Sequence, residues 1–134
     1  MKKLIYIMLP ALVLFSSGCT KEDTAEDLQD KIIGTWNVNS VTYVDVNPAL
    51  NVSVTNAGVM IFSSTTVTMS TGESQSYSMV SGTEFSMQHP VSNGTYYTAY
   101  YTVSEITDNS FKFSGAINDA FSGTNGTATY VLSK

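Results

Sequence analysis

Short strand-like segments separated by turn signals fill the chain from Gly34 to its last residue. The longest, Tyr96 to Ile106, follows Asn93-Gly94, the pair best suited to a tight hairpin turn. Asn56-Ala57-Gly58 indicates another turn. We expect about eight or nine strands, joined as consecutive hairpins without a long crossover. This order predicts an all-β protein and favours an antiparallel up-and-down barrel over a sandwich, because a closed sheet has no exposed edge strands.

A short helix is expected just before the first strand. Thr24, with Asp27 three residues later, has the pattern of a capping box. Leu28 and Ile32 are spaced to meet the same surface. Gly34 is suited to end the helix and release the chain into a strand.

The first 19 residues resemble a bacterial lipoprotein signal. Lys2 and Lys3 precede an apolar run from Leu4 to Phe15, which is too short to span a bilayer. Small residues then lead to Cys19, the only cysteine of the chain. The resemblance implies cleavage before Cys19 and lipidation of this residue, so that the membrane is the expected partner. A plain secretory signal with a stray cysteine is the alternative.

The residues after Cys19 bear on where the protein is held. Lys21-Glu22-Asp23 resembles the surface-export signal of lipoproteins in the Bacteroidetes group. It implies a lipid anchor in the outer membrane with the domain exposed at the cell surface; a solvated linker on a periplasm-facing protein is the alternative. The chain is therefore expected to divide into a lipoprotein signal peptide at 1–18, a lipid-anchored linker at 19–30 and a barrel domain at 31–134.

Composition excludes several functions. The six basic residues are all lysine, and the formal net charge is −5, so no nucleic acid partner is expected. One histidine and one cysteine cannot build a zinc site, and no loop has the spacing of a calcium site. We expect no cofactor, no metal and no catalytic residue. His89, next to Pro90, is expected to be solvated in a loop.

The segment Gly34-Thr35-Trp36 carries a Gly-x-Trp pattern at the start of the first strand. With the segments Ile106 to Phe113 and Tyr130 to Lys134, it resembles the opening and closing patterns of lipocalin-like (calycin) domains, in particular those of Bacteroidetes lipoproteins. The resemblance implies that Gly34 and Trp36 are structural and close the barrel at its base. An arginine usually covers this tryptophan; the chain has none, so Lys134 and Lys31 are the candidates for its place.

The strand from Tyr96 to Val103 has two unlike faces, because side chains alternate along a strand. Tyr97, Ala99 and Tyr101 share the more apolar face, which is expected to point into the barrel. Our leading hypothesis is a non-enzymatic module that binds a small, mostly apolar ligand in the barrel. Its expected lining residues are Tyr97, Tyr101, Phe113 and Met69. Ordinary cross-strand packing is the alternative role for these side chains.

A second hypothesis uses the outer surface. Tyr96 and Tyr100 lie on the other face of the same strand, among threonines. An accessory lipoprotein of the cell envelope would dock a protein or glycan partner through these two rings. An enzyme is the third hypothesis, because the chain offers no recognisable catalytic group.

Overall fold

The computed structural model describes residues 22–91, 94–119 and 124–134. Residues 1–21, with Cys19, and Asn93 lie outside the described residues, so the predictions made for them remain predictions. The described chain contains the elements α1 Ala25–Ile32, β1 Gly34–Asp45, a 3₁₀ turn Pro48–Leu50, β2 Val52–Phe62, β3 Thr66–Met69, β4 Ser74–Met79, β5 Glu84–Pro90, β6 Tyr96–Ile106, β7 Ser110–Asp119 and β8 Thr124–Ser133.

The eight strands form one closed antiparallel barrel. Each strand pairs with the next along the chain, and β1 pairs with both β2 and β8. The β1–β8 seam runs from Asn37 opposite Ser133 to Asp45 opposite Gly126. The prediction of an antiparallel up-and-down barrel of about eight strands is confirmed.

One expected turn is a bulge. Val38 lies opposite Gly58, but Ser40 lies opposite Thr55, so β2 carries one extra residue here and continues as one strand. Asn56 has φ +52° and Gly58 has φ +107°, the left-handed backbone that the sequence also uses in turns. The prediction of a turn between two strands was therefore wrong, and the count is eight rather than nine.

The helix α1 lies at one end of the barrel and is part of its core. Thr24 Oγ1 accepts from the Asp27 N–H, while the Asp27 carboxylate accepts from the Thr24 N–H at 2.9 Å, which completes the capping box. Leu28 and Ile32 are buried at 1% and 0% exposure. The backbone before the helix passes over Gly82, where an added Cβ would overlap the Asp23 carbonyl oxygen.

The barrel wall is uneven in height. β3, β4 and β5 contain 4, 6 and 7 residues, whereas β1, β2 and β6 contain 12, 11 and 11. Beyond β3, the residues 52–57 of β2 pair only with β1. The end away from α1 is therefore open on the side of the short strands.

Candidate functional site

Trp36 lies at the closed end of the barrel and is fully buried. Its indole N–H donates to the Ile32 carbonyl at 2.7 Å, and its ring packs against Phe111 at a centroid distance of 5.3 Å. Lys134 Nζ lies 4.5 Å from the ring centroid, in the place where the sequence resemblance implied a cation. Lys31, the other candidate, instead forms an ion pair with Asp23 at 2.8 Å.

Aromatic side chains fill the barrel above Trp36. Phe85 is central, with its ring stacked on Tyr101 at 5.5 Å and edge-on to Phe113 at 5.1 Å. Phe113 also stacks on Tyr130 at 4.7 Å. Tyr101 and Phe113, two of the expected lining residues, are thus together but fully buried within this cluster. This part of the interior is packed by the protein's own side chains.

An apolar cavity of about 210 Å³ lies beside the β2 bulge, toward the open end. Met69, an expected lining residue, is half-buried here and pairs in register with Met60. No charged side chain lines the cavity among the described residues. Its walls are Val38, Val41, Ala57, Val59, Met60, Met69 and Tyr130.

Polar side chains lie in the interior next to this cavity. His89 Nε2 and the Tyr101 hydroxyl are 2.8 Å apart, and the Tyr101 and Tyr130 rings meet edge-on with their centroids 6.0 Å apart. The His89 ring stacks on Tyr97, with centroids 5.1 Å apart. Burial lowers the pKa of His89 and raises the pKa of Tyr101 and Tyr130. All three groups are therefore neutral near pH 7.

His89 lies in a strand, whereas the sequence predicted a loop. It belongs to β5 and is half-buried, so the prediction of a solvated loop residue was wrong. The reason is that Pro90 is the last residue of β5, a position where the missing N–H of proline costs little. The loop that the sequence predicted at His89-Pro90 therefore begins only after Pro90.

Gln75 is the second polar residue of the interior. On β4 it alternates with Tyr77 as a buried position, and its side chain is 8% exposed. Its Oε1 has no hydrogen-bond partner among the described residues. Tyr77 pairs with Met87 on β5, so Gln75 and His89 each lie one inward position further toward the open end on adjacent strands.

Asp45 stabilises the rim of the open end through hydrogen bonds. Its carboxylate accepts hydrogen bonds from the Tyr43 hydroxyl, from the Asn47 N–H at 2.7 Å and from the Asn125 N–H at 3.0 Å. The Tyr43 bond, with those of Asn47 and Asn125, lowers the pKa of Asp45 against the opposing effect of burial. These bonds join the turn after β1 to the beginning of β8, so the carboxylate has a structural role. No group of three or more potential metal ligands occurs among the described residues.

The outer surface presents the other two tyrosines. Tyr96 is 66% exposed and Tyr100 is 59% exposed, as the alternation along β6 predicted. Tyr97, the remaining expected lining residue, contributes to a separate hollow of about 220 Å³ beside Tyr100 rather than to the apolar cavity. The four residues expected to line one cavity are therefore divided among the core, the cavity and this hollow.

Sequence reasoning missed Gln75 and Tyr130. Gln75 continues the period-two pattern of Tyr77, and Tyr130 continues that of Leu132, so alternation alone places both inside. A glutamine in such a pattern is easily assigned to the solvent face. The alternation also does not show which side chains lie opposite Gln75 and Tyr130 across the barrel.

Neither a scan against protein-family models nor a search of curated proteins finds a match. Among solved structures, the chain is similar to lobster apocrustacyanin A1, with 14% sequence identity and a TM-score of 0.33. The similarity covers 82% of this chain and 68% of that chain. Nothing about function follows at this level of similarity. Across residues 22–91, 94–119 and 124–134, no helix has the length and apolar character to cross a membrane.

Proposed function

We propose that the protein is a lipid-anchored lipoprotein of the cell envelope whose barrel binds a small, mostly apolar molecule. The observation that carries the binding role is the apolar cavity next to Met60 and Met69. Methionine side chains adapt their shape to a guest, which suits a pocket of this kind. The open side of the barrel, above the short strands, offers the route of entry.

The cavity volume limits the ligand. A dry cavity of about 150 Å³ holds one benzene molecule, whereas sites for drug-sized ligands measure about 300–1,000 Å³. A volume of about 210 Å³ therefore fits one ring with a short substituent, or a short branched chain. A long-chain lipid would leave most of its length outside, because Phe85 and its neighbours fill the rest of the interior.

Native mass spectrometry of the protein purified from its host tests the binding role. We expect a co-purifying molecule of low mass, which is lost in the variant Met60→Trp, because a larger ring at this position fills the cavity. The variant Ile61→Trp is the matched control, since Ile61 is the next residue of β2 and is 49% exposed. A bound molecule that survives Met60→Trp in a folded protein would contradict this site.

The anchor is tested separately from the cavity. We propose that Cys19 carries the lipid and that the protein lies in the outer membrane, exposed at the cell surface, with the periplasmic face as the alternative. Cys19→Ala is expected to abolish labelling with radioactive palmitate and membrane retention. Protease treatment of intact cells then decides between the two faces, because only a surface-exposed domain is digested.

A second candidate function uses the exposed rings of Tyr96 and Tyr100. The two residues lie four positions apart on one face of β6, about 13 Å along the strand, with Thr98 between them. Large exposed rings with polar tips suit docking of a glycan or protein partner. Replacement of both tyrosines by serine is expected to abolish capture of that partner and to leave the cavity ligand bound; a partner that remains bound contradicts this role.

Binding is favoured over catalysis by the surroundings of the single histidine. The ring contacts of His89 within the described chain are Tyr97 and Tyr101, and its hydrogen bond is to a phenol rather than to a carboxylate. Burial keeps the pKa of His89 below its usual value, and no carboxylate among the described residues is hydrogen-bonded to the ring to orient it as a base.

A further inference from the structure

We propose that the hollow between β6 and β7 binds one ring of an uncharged glycan, with Tyr100 stacked on the sugar and with Thr98 and Asn118 as hydrogen-bonding groups. This β6–β7 hollow measures about 220 Å³ and shares no lining residue with the apolar cavity. The inference rests on the second candidate function, because it names the partner that Tyr100 docks and the place where that partner is held.

The hollow exists because β6 and β7 separate toward the open end of the barrel. Among the described residues, their pairing in this direction stops at Tyr101 opposite Gly115. Beyond this pair, residues 96–100 of β6 are paired with β5, and residues 116–119 of β7 are paired with β8. The barrel wall is therefore split over this stretch, and the hollow lies in the split.

The split also directs backbone groups of β6 toward the hollow. The Val103 N–H donates to the Thr83 carbonyl beside β5, so the odd-numbered residues here point their N–H and C=O groups toward β5. Thr98 has the opposite parity and points its own toward β7, which no longer pairs with it. A sugar hydroxyl can take the place of water at these groups.

Three side chains give the hollow the chemistry of a sugar site. Tyr100 is 59% exposed, so much of its ring is available to the C–H groups of a sugar. The Asn118 amide and the Thr98 hydroxyl are exposed, and neither is hydrogen-bonded within the described part of the chain. An amide both donates and accepts, which matches neighbouring sugar hydroxyls. Ala99 and Ala116 complete the walls and leave room for the ring.

The charge and the size of the hollow define the class of glycan. No charged side chain lines it among the described residues. Glu84 lies on the same outer face, opposite Thr102, and the chain has a net charge of −5, so an anionic glycan is disfavoured. A cavity of about 150 Å³ holds one benzene molecule. A volume of about 220 Å³ therefore fits one six-membered sugar ring with its substituents.

A peptide strand is the competing occupant of a split sheet. Strand addition gains its specificity from pockets for alternate side chains. The walls of the hollow are instead two alanines, a hydroxyl and an amide beside two tyrosines, around a compact space. These features favour a sugar ring over an extended peptide.

The experiment compares neutral and anionic tetrasaccharides. The full chain is purified from membranes into lipid nanodiscs, and binding is measured by isothermal titration calorimetry against empty nanodiscs. The neutral probes are cellotetraose, maltotetraose, laminaritetraose and mannotetraose, and tetragalacturonate is the anionic probe of equal length. We expect at least one neutral probe to bind with a Kd of about 1 mM or tighter, and at least about 5-fold more tightly than tetragalacturonate.

Four variants locate the site. Tyr100→Ser is expected to weaken the best neutral probe at least about 10-fold through loss of the stacking ring, and Asn118→Ala about 5-fold through loss of the amide. Tyr96→Ser should cost less than Tyr100→Ser, because Tyr96 is 66% exposed on the same face but does not line the hollow. Asn37→Ala, at an exposed asparagine of β1, should change the affinity by about 2-fold or less. Trp36 emission reports whether each variant is folded.

The outcomes separate this inference from the function on which it rests. Failure of every neutral probe to bind, tighter binding of tetragalacturonate, or an affinity unaffected by both Tyr100→Ser and Asn118→Ala would overturn the inference. If a protein partner is nevertheless lost when Tyr96 and Tyr100 are both replaced by serine, docking through β6 stands and only the glycan is wrong. If no partner of either kind is lost, the second candidate function fails as well. If a variant does not fold, the comparison of probes on the unmodified protein still decides.

Discussion

Phe85 is the residue whose removal should weaken the barrel most. Its side chain is fully buried, and five aromatic rings surround it at centroid distances from 5.1 to 6.4 Å. They belong to β2, β4, β6 and β7, so one ring joins strands from both the short and the tall walls. The five are Phe62, Tyr77, Tyr101, Phe111 and Phe113.

The expected cost of Phe85→Ala is large. Truncation of a buried phenylalanine to alanine costs about 3–5 kcal/mol in the free energy of unfolding. The surrounding rings are held by strands and cannot collapse into the space, which favours the upper part of that range. For a domain of this size, a loss of about 4 kcal/mol corresponds to a fall in Tm of about 15–25 °C.

Urea unfolding followed by Trp36 emission measures this cost. Trp36 is the only tryptophan of the chain, it is buried, and it does not contact Phe85 among the ring pairs of the described residues. Phe85→Leu, which keeps most of the volume, should lose less than Phe85→Ala. Ile61→Ala, at a residue 49% exposed, should cost about 0.5 kcal/mol or less.

A loss below about 1.5 kcal/mol for Phe85→Ala, with an unchanged dependence on urea concentration, would refute the reasoning. It would mean that the aromatic interior is loosely packed and can close around the missing ring. The upper limit on ligand size, which depends on a filled interior, would then no longer hold.

Three further predictions concern other parts of the barrel. Because burial lowers the pKa of His89, the unfolded chain binds a proton more readily, so stability should fall as the pH drops below about 6.5; in acid titrations, His89→Asn should reduce this fall. Lys134→Met should shift the Trp36 emission and cost about 0.5–1 kcal/mol in urea unfolding, whereas Lys134→Arg should restore both. Gly82→Ala should displace the backbone at Asp23 and expose α1 to limited proteolysis, and uncut protein would contradict the close contact.

The barrel and the faces of its strands could be predicted from the sequence because they depend on local patterns. Alternation separated Tyr96 from Tyr97, and the capping pattern at Thr24 located α1. From the sequence, the bulge at Asn56 could not be distinguished from a turn, because both use left-handed backbone. The difference is that β1 pairs with β2 on both sides of the bulge. Local signals do not contain that information.

The candidate site was harder to predict from the sequence than the barrel, for a related reason. Met69 was expected at a cavity and is there, but Tyr101 and Phe113 are core residues. All these side chains share the inward orientation that alternation predicts. Whether an inward side chain meets space or another ring depends on residues from strands distant along the chain, such as Phe85 and Tyr130.

The seam between β1 and β8 also sets the order of events during synthesis. Asn37 and Ser133 must meet to close the ring, so no closed barrel exists until β8 is available. Contacts between residues so distant along the chain make folding slow and cooperative. For a chain that we propose is exported, this delay is useful, because the polypeptide remains unfolded while it crosses the membrane and folds after translocation.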